Sequence, residues 1–251
     1  PGDHDARSME KGIRRSRAAA SLARKVGRLR EAAERALARA GEVSLAPDLG
    51  RSVFLGFERA SSPVLLALDA GEVRAGSTPV LRDVHVRLRR EDRIRVEGAN
   101  GAGKSTLLRA LLDGSPHRRE RVLHLAQELP PGAGPALLRD LRALAPEVRG
   151  RVLSLVAALG TDPARLLASS DPSPGEARKL CLALGMGRHA WALVLDEPTN
   201  HLDLPTVERL EAAIAAYPGA VLLVSHDETF AARRTTSRWL VADGRVAEDG
   251  G

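Results

Sequence analysis

One stretch of this chain, residues 94–112, leaves few folds open to it. Ile94-Arg95-Val96-Glu97 alternates apolar and charged side chains as a strand does. Gly98-Ala99-Asn100-Gly101-Ala102-Gly103-Lys104-Ser105-Thr106 follows without a break, and residues 106–112 have the apolar spacing of a helix. Gly98, Gly103, Lys104 and Ser105 fit the pattern G-x-x-x-x-G-K-[ST], a Walker A loop, in the strand-loop-helix setting that the pattern requires. The glycines let backbone amides turn inward around phosphates, and the helix N-terminus adds the positive end of its dipole. Lys104 can reach the β and γ phosphates, and Ser105 can ligate Mg²⁺. Asn100, Gly101, Ala102, Gly103 and Thr106 complete the expected cradle for ATP.

A second apolar strand, residues 192–195, ends in two acids, Asp196 and Glu197. Adjacent carboxylates are usually an ordinary turn or helix start. Here a phosphate loop precedes them by about 90 residues. At the carboxyl end of a neighbouring strand, Asp196 can hold the Mg²⁺ shell while Glu197 polarises the attacking water.

The rest of the chain reads as alternating elements. Strands are expected at 53–57, 64–68, 84–88, 122–126 and 221–224. Helices are expected at 136–144, 148–159, 175–186 and 206–216, with a Ser/Asp/Pro loop at 169–174. A closing hairpin turns at Asp243-Gly244. The β-α-β repetition around 192–224 implies a covered parallel sheet, so the fold class is α/β.

Residues 6–40 differ in character: Leu22, Val26, Leu29, Ala33, Ala36 and Ala40 recur at helical spacing. Arg17, Arg24, Arg28, Arg35 and Arg39 form a basic stripe beside them. Residues 1–40 hold 11 of the chain's 38 Lys/Arg against 5 of its 32 Asp/Glu, so the whole net charge of +6 sits there. Such an excess suits a phosphate-rich partner, and equally a solvated helix face. The boundary falls near Gly41, dividing a helical segment at 1–43 from a domain at 44–251. No apolar run reaches the roughly 18 residues of a membrane span. The lone Cys181 excludes an internal disulfide and fits a reducing, cytoplasmic setting.

With both Walker motifs placed, residues 44–251 resemble the ATP-binding cassette (ABC) superfamily. Gln127 stands where that family has its Q-loop glutamine, which contacts Mg²⁺ and the lytic water. Pro172-Ser173-Pro174-Gly175-Glu176 stands at the signature motif, Thr199-Asn200-His201-Leu202-Asp203 at the D-loop and Ser225-His226-Asp227 at the switch histidine. The resemblance implies a P-loop NTPase fold: a RecA-like core, an antiparallel β subdomain and a helical signature subdomain. It implies ATP and Mg²⁺ as ligands, with Ser105, Gln127 and Asp196 around the metal and Glu197, Gln127 and His226 as catalytic residues. In this family the signature loop of one cassette closes over the ATP of another. Ser173, Gly175 and Glu176 are therefore expected to contact nucleotide on a partner cassette, and activity to depend on dimerisation.

Two departures stand out. Pro172 and Pro174 replace a leucine and a glycine of the common signature, removing amide donors and stiffening the loop. Ala75 stands where the family offers an aromatic ring to the adenine. Phe54 or Phe57 could supply one instead, although a place in the core suits both better.

The string Asp196-Glu197-Pro198-Thr199-Asn200-His201-Leu202-Asp203 resembles the ABC-F subfamily, in which two cassettes share one chain through a charged helical linker and act on the ribosome. Residues 1–43 look like the later part of such a linker, and Asp3-His4-Asp5-Ala6-Arg7 resembles a linker motif of antibiotic-resistance members. The resemblance thus implies a second cassette, with the first one upstream. The partners implied are that first cassette and the ribosome, whose rRNA and tRNA would meet the basic helix; no membrane domain is expected. The function implied is MgATP hydrolysis in ribosome protection or translation. The competing readings are a transporter's ATP subunit and a weakly hydrolytic ATP-gated clamp.

Overall fold

The computed structural model describes residues 53–115, 121–200 and 202–250. The helix and basic stripe expected at 1–43 lie outside the described residues, as does His201.

Six strands form one sheet in the order β4-β5-β6-β3-β7-β8. They are β3 (Arg93–Glu97), β4 (Val122–Leu125), β5 (Ala192–Asp196), β6 (Ala220–Val224), β7 (Ser237–Ala242) and β8 (Arg245–Gly250). All neighbours pair in parallel except β7 and β8, which form the expected hairpin over Asp243 and Gly244. Their φ values of 50° and 71° are the left-handed pair that a tight two-residue turn needs. Strands β5 and β6 are buried along their whole length, which is why they read as unbroken apolar runs.

The sheet divides the core in two. Leu125, Leu193, Leu195, Val221 and Leu223 face a cluster built with the helices α2 (Ala133–Ala143), α3 (Pro146–Ala158), α4 (Pro163–Ala168), α5 (Pro174–Gly187) and α6 (Leu204–Ala216). Ile94, Val96, Ala192, Val194, Leu222 and Val224 face the other cluster, completed by α1 (Lys104–Asp113) and a separate antiparallel hairpin. That hairpin, β1 (Val64–Ala75) with β2 (Thr78–Arg89), is the antiparallel subdomain expected from the resemblance. Both strands run well beyond the expected 64–68 and 84–88. Asp69, Glu72, Arg82, His85 and Arg87 face solvent, so apolar patterning alone cuts the strands short.

The strand expected at 53–57 does not form. Val53 is helical, the Phe57 N–H donates to the Phe54 carbonyl at 3.0 Å, and Gly56 turns the chain at φ 77°. A short apolar run suits a strand or a helical turn equally. The core settles the matter: both rings pack edge-on to Tyr217, with centroids at 5.7 and 6.0 Å. Two short helices, α4 and α7 (Glu228–Arg234), were not expected from periodicity. Each is started by an aspartate, Asp162 accepting from the Ala164 N–H at 2.8 Å and Asp227 from the Phe230 N–H at 2.9 Å.

Candidate functional site

Strand β3 delivers the chain to the loop at Gly98, and α1 begins at Lys104. Gly98 has φ 152°, and a Cβ there would lie 2.4 Å from the Val241 carbonyl oxygen. Gly103 has φ 106°, and its Cβ would meet Val80 Cγ1 at 2.6 Å. Any larger residue would push the loop off the sheet edge. Gly103 has no side chain to cap α1, so the amides of its first turn remain free for an anion. Lys104 Nζ donates to the carbonyls of Gly98 and Ala99 at 2.8 and 3.0 Å, which holds the ammonium across the loop.

A cleft of about 450 Å³ opens over this loop. It brings together Asn100, Gly101, Gly103, Lys104, Ser105 and Thr106 with Gln127 after β4, Asp196 at the end of β5 and Glu197 just past it, and His226 after β6. Ala102 is the one cradle candidate that does not line it; it packs instead against the hairpin-side core. The parallel order explains the convergence, because the carboxyl ends of β3, β4, β5 and β6 all emerge on one edge.

Glu197 is held on several sides. Its backbone is left-handed at φ 49°, and its N–H donates to the Val224 carbonyl at 2.9 Å. Its carboxylate Oε2 accepts from the His226 N–H at 3.2 Å, while Oε1 lies 3.3 Å from His226 Nε2. The Glu197 side chain is only 5% exposed, whereas that of His226 is 62% exposed at the cleft mouth. A buried carboxylate therefore meets an imidazole free to reach a bound molecule. Asp196 is also buried, at the end of β5.

Periodicity missed one residue of this site. Arg178 is 4% exposed, and its guanidinium donates to the carbonyls of Ala126 (3.2 Å), Gln127 (2.7 Å) and Glu197 (2.8 Å). Burial pulls its pKa below the ordinary guanidinium value, with Cys181 and Asp196 acting in the opposite sense. The available signal was a basic residue on the apolar face of α5, between Ala177 and Cys181. The same burial pushes the Cys181 thiol up to about 11, so it stays protonated.

Ser173, Gly175 and Glu176 lie away from the cleft, at the start of α5. Ser173 is the N-cap: its hydroxyl accepts from the Glu176 N–H at 3.3 Å and donates to Glu176 Oε2 at 2.7 Å. The Ser173 N–H also donates to Oε2, at 2.9 Å. These bonds hold the Glu176 carboxyl below the usual carboxylate range. The helical setting changes the meaning of Pro174. At the first helical position its missing N–H has no intrahelical partner to lose, and the Gly175 amide after it is still an uncommitted helix-end donor. Pro172 is buried against α2, where a Cβ on Gly134 would come within 2.9 Å of it. Neither Phe54 nor Phe57 reaches the cleft; both rings lie on Tyr217 and His189.

Ser105, Gln127 and Asp196 present a hydroxyl, an amide carbonyl and a carboxylate to one cleft. One carboxylate plus neutral oxygens beside a phosphate cradle is a donor set that fits Mg²⁺, which keeps several waters and shares phosphate oxygens.

Residues 81–200 match the model of the family described as ABC transporter. The chain belongs to the ATP-binding cassette family. The cassette is 38% identical over 180 residues to the tylosin resistance ATP-binding protein TlrC of Streptomyces fradiae, covering 66% of this chain and 32% of that protein. It is 30% identical over 187 residues to the ribosome protection protein VmlR of Bacillus subtilis strain 168, covering 68% and 33%. It is also 32% identical over 205 residues to ATP-binding cassette sub-family F member 3 of Mus musculus, covering 76% of this chain and 29% of that protein. The cassette spans about a third of the length of each. In structure it resembles the ATP-binding subunit of an ABC transporter, with a TM-score of 0.62 at 23% identity over 74% of this chain and 90% of that one, a likeness of fold. No helix among the described residues is long and apolar enough to cross a membrane.

Proposed function

We propose that this cassette binds and hydrolyses MgATP as the second cassette of an ABC-F protein that acts on the ribosome from the cytoplasm. The observation that carries the reading is the single cleft shared by Lys104, Ser105, Gln127, Asp196, Glu197 and His226. The loop amides from Asn100 to Thr106 and the Lys104 ammonium hold the phosphates; Ser105, Gln127 and Asp196 hold Mg²⁺, which neutralises phosphate charge. Glu197 accepts the proton of the water that attacks the γ phosphorus, the bond to the ADP oxygen breaks, and His226 steadies the γ-phosphate from the cleft mouth. Ser173 and the Gly175 and Glu176 region serve the nucleotide on a partner cassette, so hydrolysis needs the two cassettes to close together.

The ribosome enters through the Asp196 to Asp203 string, through the likeness to a ribosome protection protein and through the basic residues of 1–43, which serve as the linker. Arginine stripes bind RNA phosphate without regard to sequence and lose affinity as salt rises.

The test uses the full-length protein. Glu197→Gln should retain nucleotide, lower phosphate release by about 10²-fold or more, and pellet with ribosomes when ATP is present. Unchanged turnover would remove Glu197 from its role. Absence from the ribosome pellet would remove the ribosomal reading.

A further inference from the structure

We propose that His189 is a positioning residue for hydrolysis: it clasps the chain entering at Val53 to the end of α5, so that displacement of the upstream residues passes along α5 to Arg178 and Glu197 and slows turnover. The proposal rests on the reading of Glu197 as the group that activates water, and adds a control on it.

The chain reaches β1 through residues 53–58, of which Val53 and Phe54 are buried and Phe57 is half-buried. His189 Nε2 lies 3.0 Å from the Val53 carbonyl, and since a carbonyl can only accept, Nε2 carries the ring proton and donates it. Trp191 Nε1 donates to the Glu58 carbonyl at 3.1 Å. The Phe54 and Phe57 rings stand 6.4 and 5.7 Å from the imidazole and also pack on Tyr217, whose hydroxyl donates to the Ala190 carbonyl at 2.5 Å.

The backbone of His189 is what marks it out. Helix α5 ends in a pair of bonds, the His189 N–H to the Met186 carbonyl and the Ala190 N–H to the Gly185 carbonyl, both at 3.0 Å. Such an ending puts one residue in the left-handed region, a place that glycine takes at least cost, and His189 occupies it at φ 56°. Strain of this kind persists where surrounding contacts over-determine it, and it gathers at switch regions. Here the contacts come from the imidazole: its bond to Val53 and its packing against two phenylalanine rings. A helix end that glycine would satisfy thus carries a side chain that leads to the incoming segment.

Helix α5 is stiff enough to pass a displacement on. Residues 180–187 are all buried. A Cβ on Gly185 would come within 2.6 Å of Leu123 in β4, and one on Gly187 within 2.6 Å of Val152 Cγ2 in α3, so the helix backbone lies directly against both. Roughly 15 Å back along the axis, Arg178 bonds the Ala126 and Gln127 carbonyls just past β4 and the Glu197 carbonyl just past β5. The helix and β4 are therefore joined at both ends of the strand and move as one body. Arg178 Nη2 links that body to the backbone of Glu197, where a small misplacement of the carboxylate is costly to the reaction.

The experiment reads steady-state ATP turnover and amide hydrogen exchange in the full-length protein. His189→Gly suits the left-handed position and removes the clasp. With an undiminished melting temperature, its kcat should fall about tenfold while KM moves by less than about threefold. His189→Gln, whose amide N–H can reach the same carbonyl, should restore most of that loss. In the wild type, binding of adenylyl imidodiphosphate with Mg²⁺ should change exchange at the amides of residues 53–58 by about fivefold or more, because coupling between two sites is reciprocal. The change should vanish in Lys104→Ala, which assigns it to this cassette, and in His189→Gly. A folded His189→Gly with kcat within about twofold of wild type overturns the proposal. Exchange at 53–58 that ignores the analogue, or that still responds to it in either variant, overturns it as well. Full turnover in Glu197→Gln would instead sink the reading of Glu197 on which the proposal rests.

Discussion

Arg178 Nη2 donates to the carbonyl of Glu197 at 2.8 Å, while Nη1 of the same guanidinium binds the carbonyls of Ala126 and Gln127. One buried cation on α5 thereby ties the helix capped by Ser173 to two segments of the nucleotide cleft. It positions Glu197 in a left-handed backbone conformation that a glutamate does not favour by itself.

Arg178→Lys keeps the charge but has no planar fork to span the three carbonyls. We expect kcat to fall about tenfold or more, with KM changed by less than about threefold, because small misplacement of a reacting group is costly. Arg178→Leu should also lose about 2 kcal/mol or more of stability, since one buried and two part-buried carbonyls lose their donor. Urea unfolding and steady-state ATP turnover separate the two effects. Normal kcat in folded Arg178→Lys would reduce the residue to a structural brace.

Gly98→Ala forces a Cβ toward the Val241 carbonyl oxygen, a backbone atom that no rotamer change can move. A loss of about 2–4 kcal/mol, together with loss of nucleotide binding, is expected from strain and overpacking. At Gly101 nothing lies within 4 Å of a Cβ, so Gly101→Ala meets only its positive φ of 80° and should cost about 1 kcal/mol. Equal stability of the two variants in thermal melts would contradict this account.

Ser173→Ala removes the hydroxyl's two bonds in the capping box at α5, from the Glu176 N–H and to Glu176 Oε2, and leaves the backbone N–H bond to Glu176 in place. The expected loss is about 1 kcal/mol, and the Glu176 carboxyl, now held low chiefly by the Ser173 hydroxyl, should titrate at a higher pH. Because the folded pKa of Glu176 is depressed, its contribution is present above the unfolded carboxylate value and is lost as pH falls through the folded one. A carboxyl titration followed by NMR that does not differ between wild type and Ser173→Ala would refute the assignment.

On the outer face of the β1–β2 hairpin the sign is opposite. His85 has its pKa raised, first by the hydrogen bond to Asp69 (3.0 Å) and then by that to Asp83 (3.2 Å). Its stabilising contribution is fully present below the unfolded histidine value and disappears as pH rises through the folded one. In an imidazole titration, Asp69→Asn should bring the His85 midpoint down. A midpoint that stays put would show that Asp69 is not the cause.

The phosphate loop was legible from its glycine, lysine and serine spacing after an alternating strand, Asp196 and Glu197 from the apolar strand they end, and His226 from its place in the motif order of the family the chain resembles. The N-caps of α4 and α7 were also written locally, as Asp162-Pro163 and Asp227, but periodicity over six or seven residues is too short to register. Residues 53–57 misled for the opposite reason: their apolarity was real, and its destination was the side of Tyr217.

The amino-acid sequence alone thus determined the phosphate-binding loop, the acid pair after β5 and the α/β class. These depend on residue type and short-range spacing, which every local backbone preference reinforces. Only the tertiary structure decided that Arg178 would donate to the Glu197 carbonyl, that Pro174 would fall at the first position of a helix, and that Ala75 and Val80 would line the same cleft as the phosphate loop. Those relationships join groups far apart in the chain. They arise from how the sheet order and core packing bring separate segments to one edge, which no local pattern encodes.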